Sequence, residues 1–194
     1  MNPGYLIIAP VVLVVLVFLA RRGGIEATRI QSPRLGFLNL KGTAGEQILA
    51  EDKRALAPMF SAVEETSTTP PPSDVLFIYC DIGPDGRISG TTAGLRDIIR
   101  DSGARVVVVA SENPSEGYIA SARKTGYGHA NLVLTLNRRG AVFSAFFSRL
   151  FSQMMKGTSM PMAWVKLAPQ IPRHDHADCP GAIFSAEAGQ IVFK

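Results

Sequence analysis

The chain has 194 residues and a mass of 20.8 kDa, which leaves room for one domain of about 150 residues plus an appendage and excludes a multidomain machine. Hydrophobic residues make up 46% and charged residues 19%, with 18 Gly and 13 Pro, so the bulk should fold and a low-complexity or collagen-like chain is excluded. Five of the 20 bases (Arg21, Arg22, Arg29, Arg34 and Lys41) but one of the 16 acids (Glu26) precede Gly42, and the remaining 15 of each balance; the net charge of +4 therefore points to a membrane partner and away from nucleic acid.

Gly4 to Ala20, GYLIIAPVVLVVLVFLA, carries no charge and is followed at once by Arg21-Arg22-Gly23-Gly24. At about 1.5 Å per residue the run spans roughly 25 Å, the short end for a bilayer core, so Tyr5 and the arginine stems are expected at the interfaces. Pro10 predicts a kink. A cleaved signal peptide is the alternative, but no Lys or Arg precedes the run and no small-x-small site separates it from the arginines. A core helix of a soluble protein would show a polar face, and this run has none. The cations all follow the run, which predicts a single-pass inner-membrane protein with its N-terminus outside and its domain in the cytoplasm. Residues 1–22 are thus read as a transmembrane anchor and 23–42 as a basic juxtamembrane linker; residues 4–20 and the linker would contact lipid, each cation contributing about 1 kcal/mol near an anionic surface. Residues 43–194 are the expected domain. Two cysteines, Cys80 in an apolar run and Cys179 in a polar one, suggest reduced thiols.

From Thr43 to about Val63, Ile48, Leu49, Leu56, Met59, Phe60 and Val63 recur at helical spacing, predicting a helix broken near Pro58. Thr66 to Ser73 (TSTTPPPS) reads as a stiff polar connector, because consecutive prolines favour an extended chain. Val75–Cys80 (VLFIYC) has the continuous apolar run of a strand buried on both faces, followed by turn chemistry at Gly83-Pro84-Asp85-Gly86. Thr91 or Thr92 then caps a helix reaching Asp101, Arg105–Ala110 is a second buried strand, Ser115–Lys124 a short helix, and Asn131–Leu136 a third strand. The strongest helical period runs from Val142 to Met155, with Gly157 to stop it. A last helix at Met160–Ala168 and an edge strand at Ile183–Phe184 or Ile191–Phe193 close the domain. This alternation predicts an α/β three-layer sandwich with a mainly parallel sheet, preceded by one transmembrane helix.

Ligands of an open α/β sheet bind at the carboxyl ends of its strands, so chemistry is sought at 81–87, 111–117 and 137–140. Cys80 could be a nucleophile, yet the charge of Asp81 opposes its thiolate. Ser111, Glu112 and Asn113 offer a hydroxyl, a carboxylate and an amide to a polar ligand, and are also ordinary strand-to-helix turn residues. Arg138-Arg139 could hold an anion or stand as a solvated pair. His174, His176 and Cys179 are of metal-ligand type, but residues i and i+2 of an extended segment point to opposite faces and four ligands at zinc spacing are not present. No metal site is assigned from them. No phosphate-binding glycine pattern and no G-x-S-x-G elbow occurs, so no cofactor is expected. The aromatic residues concentrate in the apolar runs and are read as core.

The order of these motifs resembles the caspase-like fold, specifically the CHAT family of bacterial cysteine peptidases, over about Asp74 to Ala168. DVLFIYCDIG (Asp74–Gly83) resembles the family strand that ends in a His-Gly pair, and ARVVVVASEN (Ala104–Asn113) the strand that ends in the nucleophilic cysteine. GHANLVLTL (Gly128–Leu136) is similar to the next turn and strand, and Phe143–Ala168 to an aromatic-rich helix, a Gly and a second helix. The resemblance implies a catalytic His where this chain has Ile82 and a catalytic Cys where it has Ser111 or Glu112. It therefore implies a degenerate member without peptidase activity, since isoleucine cannot accept a thiol proton. The expected role is binding of a protein partner at the membrane. The alternative is a membrane-tethered hydrolase using Cys80 or the His174, His176 and Cys179 cluster; Asp81 and Glu112 are the other catalytic candidates at the strand ends.

Overall fold

The computed structural model describes residues 28–83, 87–89, 94–111, 132–138, 140–170, 181–184 and 191–194. The apolar run 4–20 and the helix expected at 115–124 lie outside them, and no helix among the described residues is long and apolar enough to cross a membrane.

The described chain is α/β. Strands β1 (Thr28–Ile30) and β2 (Arg34–Asn39) lead into helix α1 (Thr43–Leu56); β3 (Ala62–Thr66) and β4 (Val75–Tyr79) follow, then α2 (Leu95–Ser102) and β5 (Val106–Ser111). Next come β6 (Leu132–Asn137), α3 (Gly140–Met155), α4 (Met160–Leu167), β7 (Gly181–Phe184) and β8 (Ile191–Phe193). Among the described residues six strands form one sheet in the order β3-β2-β4-β5-β6-β7, parallel except for β7, which runs antiparallel to β6. Strands β1 and β8 make a separate parallel pair.

Alternation of side chains sorts the strand residues onto two faces. Val75, Phe77, Tyr79, Val106, Val108, Leu35 and Phe37 join one hydrophobic cluster with α1, α3 and α4, while Leu76, Ile78, Cys80, Val107, Val109 and Leu38 join another with Leu95 and Ile99 of α2. Phe77 lies at the centre of the first cluster, with the rings of Phe143, Phe147 and Phe151 of α3 edge-on to it at 6.1, 5.3 and 6.2 Å. Helix α3 stops where expected, because Gly157 takes a φ of 84°, a left-handed conformation that suits glycine.

The structure corrects the expected linker at 23–42. Arg34–Asn39 is strand β2, paired with β3 on one side and β4 on the other, and its last five residues are buried. Its three bases, after Arg21-Arg22, make the segment look like a solvated tether, but Arg29 and Arg34 are exposed residues of β1 and β2, and β2 is otherwise a short apolar core strand. The domain therefore includes at least residues 28–42. The expected helix to Val63 also ends earlier: α1 stops at Leu56, a 3-10 turn spans Ala57–Met59 around Pro58, and Val63 belongs to β3, one of the two edge strands of the sheet among the described residues. Both candidate closing strands form, one on each sheet.

Gly36 permits a close approach of the polyproline segment to β2. A Cβ there would sit 2.8 Å from Cγ of Pro71 and 2.9 Å from Cβ of Ser73, inside van der Waals contact. Gly36→Val is expected to cost about 1–3 kcal/mol through forced displacement of this crossing, read as a lowered midpoint in urea unfolding. An unchanged midpoint would show that 71–73 can move off the strand freely.

Candidate functional site

Chain order places the topological switch point between β2 and β4: the connection from β2 runs to β3 on one side, and the chain then returns to β4 on the other. Their carboxyl ends carry Asn39 and Lys41 on β2's side and Cys80 and Asp81 on β4's. The crevice is bridged by charge, since Lys41 Nζ lies 3.1 Å from Asp81 Oδ1, with the lysine largely buried and the aspartate 41% exposed. Asn39 shapes the turn into α1, its amide nitrogen donating to the Gly42 carbonyl at 2.9 Å and its Oδ1 accepting from the Lys41 N–H at 3.1 Å.

Cys80 is fully buried and not in a disulfide. Burial, with the Asp81 charge adding to it and Lys41 opposing, pushes the thiol up to about 12, which disfavours the thiolate at neutral pH. Ile82, at the place where the resemblance implies a catalytic histidine, is 5% exposed, sits in the hydrophobic cluster on the α2 face and forms a β-bridge with Ile88. Ser111 is buried at the end of β5. β4 and β5 are adjacent and parallel, with Tyr79 level with Ala110, so Cys80 and Ser111 follow at the same carboxyl edge of the sheet and Ile82 lies two residues beyond Cys80.

Ser111 and Arg138, two of the expected ligand-binding residues, are brought together, the Arg138 N–H donating to the Ser111 carbonyl at 3.0 Å. The Arg138 side chain, however, turns inward. Its guanidinium is 5% exposed, donates from Nε to Asp52 Oδ2 at 2.8 Å and from Nη2 to Glu51 at 3.2 Å, and lies 5.3 Å over the Phe143 ring. Tyr79 donates its hydroxyl proton to the same Asp52 oxygen at 2.8 Å. The expectation that Arg138 stands ready for an external anion is corrected: its charge is committed to the core. Glu112, Asn113, Arg139, His174, His176 and Cys179 lie outside the described residues. Among the described residues no three His, Cys, Asp or Glu side chains converge as a metal site.

The Asp52–Tyr79–Arg138 cluster escapes a reading that scores only apolar residues. Asp52 lies three residues after Leu49 and four before Leu56, both buried, so it occupies the inward stripe of α1 and is itself fully buried. Desolvation raises its carboxyl above the ordinary 3.8, against the lowering effect of Arg138 and Tyr79. Burial first, and the Asp52 charge second, hold the Tyr79 phenol well above its ordinary range. Among the described residues Asp52 Oδ1 accepts no hydrogen bond. Asp52 is fully buried, and through its bonds to Tyr79 and Arg138 the cluster ties α1, β4 and the β6–α3 corner together. Comparison with known protein families and with curated proteins gives no match.

Proposed function

We propose that this protein is a non-catalytic module of caspase-like architecture, tethered by residues 4–20 to the inner membrane with its domain in the cytoplasm, that acts by binding a protein partner there. The observation that carries the non-catalytic part is Ile82: the sheet-edge position that would need a proton-accepting imidazole holds a buried alkyl group. The adjacent, parallel β4 and β5 support the caspase-like part, because both implied dyad positions follow the carboxyl ends of these two strands. The charge-free run followed by arginines supports the tether. A three-layer sandwich is supported by hydrophobic clusters on both sheet faces.

The test uses the full chain purified in detergent and treated with iodoacetamide at pH 7.5 and with a broad fluorogenic peptide set. Cys80 should remain unlabelled until the protein is denatured, and no peptide should be turned over. Hydrolysis that disappears in Cys80→Ala or His174→Ala would replace this reading with the tethered hydrolase. In cells, photo-crosslinking from the carboxyl edge of the sheet should capture one specific protein; only random neighbours would defeat the binding role.

A further inference from the structure

The segment from Arg138 to Gln170 contains no Asp or Glu, although the domain as a whole is charge-balanced. In it Arg149 of α3, Lys156 in the turn after α3 and Lys166 of α4 are exposed. Arg149 donates to the neutral Gln170 side chain, and among the described residues none of the three cations is in an ion pair. On α4 the inward side chains are Met160, Ala163, Trp164 and Leu167. Met162 and Val165, three residues apart and so on one outward stripe, are 63% and 67% exposed. Val142 and Met155 are the other large apolar side chains exposed among the described residues, and both belong to α3. Exposed apolar side chains on a segment whose exposed charges are all cationic have the composition of a surface that lies on anionic lipid.

The path of the chain places this surface near a bilayer. Strand β1 begins at Thr28, six residues after Arg22, a span of at most about 20 Å. β1 pairs with β8, and β8 packs on both α3 and α4, with Phe193 stacked on Phe151 at 5.9 Å. The ribbon that receives the chain from the membrane side is therefore built against the two helices that carry the apolar and basic residues. Arg29 and Lys194, both exposed on this ribbon, extend the positive surface.

We infer that the outward face of α4, with the adjoining end of α3, docks on the anionic bilayer surface, Met162 and Val165 entering the headgroup boundary and Lys156, Lys166 and Arg149 meeting lipid phosphates. This rests on the tethered reading proposed above. Docking fixes how the domain is presented: the α3–α4 face is turned to lipid, and the α2 face of the sheet is turned away from it. Each cation adds attraction that an isolated apolar pair lacks, and the attraction is screened by salt.

The full chain is reconstituted in vesicles of phosphatidylcholine with phosphatidylglycerol, with or without bromine on the acyl chains. The single tryptophan is moved outward by Trp164→Phe with Val165→Trp. Flotation after an alkaline carbonate wash reads the anchor, and bromine quenching of the tryptophan reads the docking. The expected result is flotation with quenching, reduced in 1 M salt or in vesicles of phosphatidylcholine alone, and lost on adding Met162→Glu while flotation is kept. Should the tryptophan variant lose its cooperative melt, protection of Met162 from peroxide oxidation in the unaltered chain on anionic vesicles gives the same readout, with full oxidation overturning the proposal. Flotation without quenching overturns docking and leaves the anchor standing. Release by carbonate overturns the anchor and the docking with it. Absence of quenching together with a dimer that Met162→Glu dissociates assigns the face to a second copy of the chain and overturns the lipid assignment.

Discussion

A chain beginning at Thr43 is expected not to fold, whereas one beginning at Thr28 is expected to unfold cooperatively. The first lacks β2, which separates β3 from β4, so β3 loses its only described neighbour in the sheet and β4 becomes an edge. Leu35, Phe37 and Leu38 go with it, each fully buried and worth about 1.5–3 kcal/mol of transfer free energy. Their sum is of the order of the whole stability of a small domain, about 5–15 kcal/mol, before the lost ladder hydrogen bonds are counted. The second chain keeps β2 and also the β1–β8 pair. Urea titration followed by far-UV circular dichroism separates the two; a sigmoidal transition from the Thr43 chain would mean that β2 is dispensable and the sheet can re-pair.

Arg138→Met is expected to destabilise the domain by about 3–5 kcal/mol at neutral pH, because it leaves the Asp52 carboxylate buried without its counter-charge. The cost should depend on pH with a definite sign. Burial holds the folded Asp52 pKa above its unfolded value even with Arg138 present, so the folded state binds the proton more tightly. Its contribution is most favourable below the unfolded pKa and is lost as pH rises through the folded one. Without Arg138 the folded pKa climbs further, so the penalty is small in acid and grows toward neutrality. Asp52→Asn should remove that slope and cost less, since Glu51 still faces Arg138. Replacing all three members with Asp52→Leu, Tyr79→Phe and Arg138→Met should recover much of the loss, as apolar substitution of a whole buried polar cluster does. Equal losses at pH 5 and pH 8 for Arg138→Met would show that packing over Phe143, and not charge, is what the arginine supplies.

Where burial is complete the sequence is transparent. β4 and β5 are continuous apolar runs that need no pairing partner to be recognised, and they fall within a residue of their expected bounds. The same holds for α3, whose aromatic period and stop at Gly157 act locally. β2 is concealed because Gly36 interrupts its apolar run, and the reason for that glycine, the crossing of Pro71 and Ser73, lies far along the chain. β3 is concealed because four of its five residues are polar or small and its single large apolar residue, Val63, falls in the helical period of the preceding segment. The carboxyl-edge positions Cys80, Asp81 and Ser111 were legible as places, since strand ends can be counted, but their states depend on neighbours in space: Lys41 for Asp81 and full burial for Cys80. The inward turn of Arg138 depends on an aspartate 86 residues away, a distance over which spacing carries no signal.

The edge strand β3 has a second consequence. Among the described residues no strand pairs with its outer side, the side on which an identical sheet could grow. Glu64 and Glu65 stand exposed on it, and the prolines at 70–72 that follow cannot donate to a neighbouring strand. Glu64 pairs with Arg34 at 3.9 Å and Glu65 with Lys53 at 2.9 Å, so two copies meeting edge to edge would have to strip water from these charges, and the charge that hides this strand from a hydrophobic reading also opposes growth of the sheet. Neutralising both, with Glu64→Val and Glu65→Val, would turn a solubility guard into a seed for aggregation.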